Sequence, residues 1–168
     1  MISLEEITVI EAPIALCFDL ARSVEVHLAG NTHFGETAIV ADGVTSGLLS
    51  IGHRVTWQAR HFWVRQTLTS AITAMDSPVY FQDKMISGAF QSMDHDHFFR
   101  TLSGKRTEMK DIFRFAAPIP LLGRIAEVLV LRNYMRALLH ERNAVIKEIA
   151  ESGRWRNYPP WRDERCES

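Results

Sequence analysis

From Glu36 to Phe115 the chain offers six successive strand-like segments, and after Pro118-Ile119-Pro120 it offers one helical pattern, from about Leu122 to about Glu151. A sheet with an apolar face has to bury that face against another layer. Only one long element is available as the cover. A helix of about 28 residues runs ~42 Å at 1.5 Å per residue, enough to cross a whole curved sheet. The sheet is therefore expected to curl around the helix and to enclose an interior between them.

The remaining elements are short. Ile2 to Ile10 mixes β-branched residues with partial alternation and reads as a first strand. Pro13 opens a short helical pattern, Ile14 to Ala21, because proline suits a first helical turn. Ser23 to Leu28 reads as a second short helix, ended by Gly30-Asn31. The later strands read as Glu36–Ala41, His53–His61, Val64–Met75, Val79–Ile86, Phe90–Thr101 and Thr107–Phe115. Turn residues at Asp42-Gly43, Asp76-Ser77-Pro78, Gly88 and Ser103-Gly104-Lys105 separate them. In the closing helix Ile125, Val128, Leu131, Met135, Leu138, Val145 and Ile149 recur at helical spacing. Gly153 suits a helix C-cap. The expected organisation is one α+β domain over residues 1–152 and a polar, aromatic tail over 153–168.

Composition excludes several classes. With 168 residues, one domain is expected. A net charge of -1 leaves no basic footprint for nucleic acid and no polybasic membrane patch. No apolar run approaches the ~20 residues of a bilayer span. Met1 to Glu6 has neither a positive stretch nor an apolar one, so no secretory signal is expected. Two cysteines, Cys17 in an apolar helical pattern and Cys166 in the polar tail, fit a reducing cytoplasm. Cys17 reads as a small buried hydrophobe rather than a nucleophile. Gly43, Gly47 and Gly52 lack the G-x-G-x-x-G spacing, and no serine elbow occurs. No cofactor is expected.

Side chains alternate between the two faces of a strand. His53, Val55, Trp57, Ala59 and His61 share one parity, and Arg54, Thr56, Gln58 and Arg60 share the other, which is uniformly polar and expected to face water. Trp57 and His61 then point inward. His95 and His97 share a face, about 6.5–7 Å apart along the strand. Asp111 has the parity of Met109, Phe113 and Phe115. Asp83, between Phe81 and Met85, repeats the argument more weakly, and Glu36 reads as a rim or surface charge. A buried polar group costs roughly 1–3 kcal/mol unless it finds a partner. Four readings compete for His95 and His97: ligand contacts, a proton relay, two ligands of a metal completed by Asp111 or His61, or a structural polar network. Without a CxxC or a His-Glu helix motif the metal reading is weak, and no metal is assigned.

The order of elements carries a resemblance. The opening Ile10-Glu-Ala-Pro-Ile-Ala-Leu-Cys-Phe-Asp-Leu20, the strand Gly52-His-Arg-Val-Thr-Trp-Gln-Ala-Arg-His61, the stretch Phe81 to Phe90, His95-Asp-His-Phe98 and the segment Pro118 to Arg142 together resemble the START/polyketide-cyclase superfamily, over about residues 2–150. Within it the chain resembles a bacterial branch of cyclase/dehydrase-like or cell-division-inhibitor-like proteins. The cell-division label finds no counterpart in these residues, which offer neither a nucleotide site nor a membrane element.

The resemblance implies a helix-grip fold: a curved antiparallel sheet of about seven strands around one C-terminal helix, with two short helices after the first strand. It also implies a cavity for a small apolar or aromatic molecule. It does not imply one activity, since one fold hosts many functions. The expected function is binding such a ligand. Trp57 and Phe113 would supply stacking surface, Met135 would roof the cavity, and His61, His95, His97 and Asp111 would orient a polar end. The alternative is a cofactor-independent enzyme of cyclase or dehydratase type, in which His95 or His97 moves a proton and Asp111 orients the imidazole. A third is a protein-interaction module that docks a partner through the sheet or the aromatic tail. Pairing with a second copy is left open.

Overall fold

Alternation on the last strand sets the inner face of the sheet. Thr107, Met109, Asp111, Phe113 and Phe115 are buried, and each residue between them is partly exposed. This is the two-residue period of a strand covered on one side. The computed structural model describes residues 1–30, 37–39, 43–61, 64–116 and 124–161, with backbone alone at 37–39, 60–61, 64 and 124–128.

The strands are β1 (Ile2–Ile10), β2 (Thr37–Ile39), β3 (Arg54–His61), β4 (Val64–Asp76), β5 (Tyr80–Gly88), β6 (Ser92–Thr101) and β7 (Thr107–Ala116). They form one seven-stranded sheet in the order β1-β7-β6-β5-β4-β3-β2. Every pairing is antiparallel. Strands β2 to β7 thus run as a meander, and β1 closes its far edge against β7. Between β1 and β2 come α1 (Ile14–Ala21) and α2 (Val24–Gly30), and after β7 comes α3 (Arg124–Ser152). The seven strands, two short helices and long closing helix are those the sequence predicts. Glu36, Arg60 beyond its backbone, the Pro118–Pro120 stop and Cys166 lie outside the described residues.

α3 packs against β1, α1 and α2. Lys147 Nζ donates to the Val9 carbonyl oxygen at 2.5 Å. His140 Nδ1 lies 2.8 Å from Glu6 Oε1. These contacts hold the helix along the β1 edge. The buried core falls into two clusters. The larger gathers Ile10, Phe18, Leu20, Val24, Val26, Phe81, Phe99, Met109, Ile146 and Ile149. The smaller gathers Leu4, Met93, Phe113, Phe115 and Leu139. Trp155, Tyr158 and Trp161 pack against the larger cluster, so the tail docks on its own domain as far as Trp161.

Two details depart from expectation. His53 precedes β3 and is exposed, its Nδ1 accepting the Ser50 N–H at 3.3 Å. Thr56 is 5% exposed although its parity reads as solvated. It lies directly across from Thr69, and the two hydroxyls meet at 2.9 Å. A cross-strand hydroxyl pair satisfies both groups and so tolerates burial.

Glycine matters at one bend. Gly88 closes β5 at φ +139°, and a Cβ there would stand 2.4 Å from the Thr67 carbonyl oxygen. The β4–β5 register also shifts between Thr69 and Ser70 and between Ile72 and Ala74. Such irregularities add bend and twist to a sheet that must wrap a helix.

Candidate functional site

Register assembles the site. One row across the inner face runs Phe81, His97, Asp111, Glu6; the next runs Asp83, His95, Phe113, Leu4. His97 is thus directly opposite Asp111, and His95 reaches it on the diagonal. Asp111 Oδ1 lies 2.9 Å from His95 Nε2 and 2.6 Å from His97 Nδ1. The His97 contact has the length of a strong hydrogen bond but not its direction, and Nδ1 has no well-aligned partner. From α3, Asn143 Nδ2 donates to Asp111 Oδ2 at 2.7 Å. Arg142 Nη1 stands 3.5 Å from Oδ1. Asp111 is 0% exposed, His97 1%, His95 7%, Asn143 1% and Arg142 5%.

Burial by itself would raise the pKa of Asp111, but the two imidazoles, through charge and hydrogen bonding, outweigh it and hold the carboxyl well below its ordinary value. His97 goes the other way. Burial first, then the neighbouring His95, pushes its imidazole down to about 3 against the pull of Asp111. The centre at neutral pH is therefore an ionised carboxylate beside a neutral His97. In a neutral His95 ring the proton sits on Nε2, facing Asp111, which leaves Nδ1 as the acceptor.

A cavity of about 250 Å³ lies between the sheet and α3. Trp57, Leu68, Phe90, Met93, Phe113, Leu131, Met135 and Leu138 supply much of its apolar wall. His27, Asp83, His95, His97 and Arg142 supply a polar part. Lining residues come from both core clusters. Trp57, 4% exposed, already carries the His27 ring stacked at 3.9 Å between centroids, so one face of the indole is taken. His95 meets the Phe113 edge at 5.0 Å, and His97 stacks on Phe81 at 4.1 Å.

The residues singled out from the sequence divide by position. Trp57, His95, His97, Phe113 and Met135 line the cavity. Asp111 does not; it stands one layer behind the imidazoles and acts on the cavity through them. His61 ends β3, and its side chain lies outside the described residues. Cys17 is fully buried, and burial pushes its thiol up to about 11, which keeps it protonated. Asp83, given less weight than Asp111, has Oδ1 closed off from solvent and unpaired, although the residue as a whole is half-buried. Burial raises its pKa, and the nearby Ser70 hydroxyl and His95 offset that in part.

Arg142 and Asn143 escaped the sequence reading. The helical spacing Met135, Leu139, Arg142, Ile146, Ile149 places Arg142 within the apolar stripe, and a charge at that spacing was the signal.

The donor atoms of His95, His97 and Asp111 lie within 4.8 Å of one another. Ligands at ~2.0–2.1 Å from a tetrahedral ion stand about 3.3 Å apart. The 2.9 Å His95 contact is that of a hydrogen-bonding partner instead, and the 2.6 Å His97 contact is also shorter than that spacing. A guanidinium at 3.5 Å opposes a further cation. The donor set fits a hydrogen-bonded network better than a metal centre.

The same arrangement of sheet and helix occurs in solved structures. A START superfamily protein from Mycobacterium smegmatis matches with a TM-score of 0.68 at 9% identity, over 88% of this chain and 96% of that one. The protein TTHA0849 from Thermus thermophilus matches with a TM-score of 0.66 at 15% identity, over 86% and 97%. The chain has the START helix-grip fold. A ginseng major latex-like protein from Panax ginseng shares the START arrangement with a TM-score of 0.55 at 15% identity, over 84% and 95%. No protein-family profile matches the chain, and no curated protein matches it. Among the described residues of this START fold, no helix is long and apolar enough to cross a membrane.

Proposed function

We propose that the protein binds a small, largely apolar or aromatic molecule in the cavity between the sheet and α3. The observation that carries this is the cavity itself, about 250 Å³ with an apolar wall and a few convergent polar groups. That is the usual build of a small-molecule site. The apolar body would lie against Phe113, Met135 and Trp57. His95 and His97 would meet a polar end, with Asp111 fixing them from behind. Native mass spectrometry of gently purified protein, set against its denatured mass, tests the reading. A retained organic mass of a few hundred daltons is expected. A saturating screen of amphipathic compounds that leaves both mass and melting temperature unchanged would sink it.

One observation favours a second reading, a cofactor-independent enzyme of cyclase or dehydratase type. Asp111, held ionised, lies 2.9 Å from His95 Nε2 and braces the ring on the side away from the cavity. An imidazole on a cavity wall, braced by a buried carboxylate, has the build of a general base. A sigmoidal or bell-shaped pH dependence of turnover, lost in His95→Gln while ligand retention persists, would establish it. Equal turnover by wild type and that variant would dismiss it.

A further inference from the structure

Arg142 is a buried charge in the cavity wall, and two of its three guanidinium nitrogens have no hydrogen-bond partner. It is 5% exposed and lines the cavity. Nη2 donates to the Ala21 carbonyl oxygen at 3.1 Å. Nε and Nη1 are closed off from solvent and have no acceptor. Asp111, at 3.5 Å from Nη1, offsets part of the charge but is too far for a good hydrogen bond. Its oxygens are already occupied by His95 and Asn143.

Among the described residues no other charged group on the wall is hydrogen-bonded to Arg142. Arg22 is satisfied by Asp19 at 2.7 Å and by the Leu49 carbonyl oxygen at 2.8 Å. Asp83 has an unpaired oxygen of its own, and its raised pKa favours the neutral acid. A guanidinium stays charged in any protein environment and presents its donors as a fixed fork. Burying it without acceptors is costly, and an anionic oxygen group relieves that cost best. One to three helical turns back along α3, Leu138, Met135 and Leu131 offer apolar surface, with Tyr134 beside them.

We propose that Arg142 receives an anionic oxygen group, a carboxylate or one of like charge, at the polar end of an otherwise apolar ligand. The ligand class is then an amphipathic anion. The inference rests on the cavity being a ligand site, as proposed above. Nε and Nη1 are the donors that would take the incoming oxygens.

Two dyes of related skeleton separate the questions: the anionic 1-anilinonaphthalene-8-sulfonate and the neutral N-phenyl-1-naphthylamine, each titrated by fluorescence. Wild type is expected to prefer the sulfonate by about 10-fold or more, the range of a hydrogen bond to a charged group. Arg142→Gln should erase that preference and leave affinity for the neutral dye within about threefold. Arg142→Lys, which keeps the charge, should retain part of it and serves if the Gln variant does not fold. Equal binding of both dyes by wild type, or a preference that survives Arg142→Gln, would overturn the anion inference and leave the cavity reading intact. Binding of neither dye would overturn both.

Discussion

Asp111 and His97 face each other across β7 and β6, with Oδ1 2.6 Å from Nδ1, and neither side chain reaches solvent. The pair is the pivot between sheet and helix. Asn143 joins it from α3, so the network ties the helix to β7, the strand next to the β1 edge. A buried carboxylate that accepts from several donors is costly to neutralise.

Asp111→Asn is therefore expected to destabilise the fold by about 2–5 kcal/mol, because it leaves Arg142 as a buried cation with no counter-charge. It also sets the new amide hydrogens against the donor of either His95 or Asn143. Urea denaturation at neutral pH measures this. A loss below ~1 kcal/mol would show that the network contributes little.

Stability should fall on the acid side. The His97 imidazole titrates near its ordinary 6.5 in the unfolded chain but at about 3 in the folded one. Between those values the unfolded chain binds the extra proton, so stability rises with pH, by up to about 1.4 kcal/mol per pH unit. Asp111, held low in the fold, adds a further loss as pH falls below the ordinary carboxylate value of 3.8. Asp83 works in the opposite sense: its raised pKa favours the fold in acid, and that contribution declines as pH rises above 3.8. Comparing wild type with His97→Gln isolates the imidazole. The variant should show a flatter limb between pH 6 and 4, and superimposable limbs would contradict the assignment.

Met135→Trp tests the cavity without touching the polar network. Met135 is half-buried on α3 and lines the space. Adding bulk to a packed core costs typically about 1–3 kcal/mol, whereas filling a void does not. The expected outcome is an unchanged or higher melting temperature with dye affinity reduced by about 10-fold or more. Undiminished affinity would move the ligand site elsewhere.

Gly88→Ala should cost about 1–3 kcal/mol, since a positive φ meets a close backbone contact at the same residue. Thermal unfolding reads this directly. A melting temperature within a degree of wild type would mean that β5 ends differently in solution.

Much of the site was legible because it lies on strands. Strand parity is a property of adjacent residues, so the inward positions of Trp57, His95, His97, Asp111 and Phe113 follow from the alternation of their neighbours. The order of elements, a run of strands closed by one long helix, likewise pointed to the architecture before any contact was known. Asp83 shows the limit of parity. Its inward direction was readable, but its unpaired oxygen was not, because pairing depends on which residues the neighbouring strands place beside it.

What the tertiary structure decided is which polar groups meet. Cross-strand register set His97 opposite Asp111 and His95 on the diagonal, and so put the carboxylate behind the imidazoles instead of on the cavity wall. His27 came onto Trp57 from α2, an element whose short pattern says nothing about what it covers. Arg142 and Asn143 came from α3, a segment far along the chain from the strand residue they meet. Local periodicity fixes the face a residue occupies, but the partner on that face comes from a distant segment. That choice is made by packing, which no stretch of sequence contains alone.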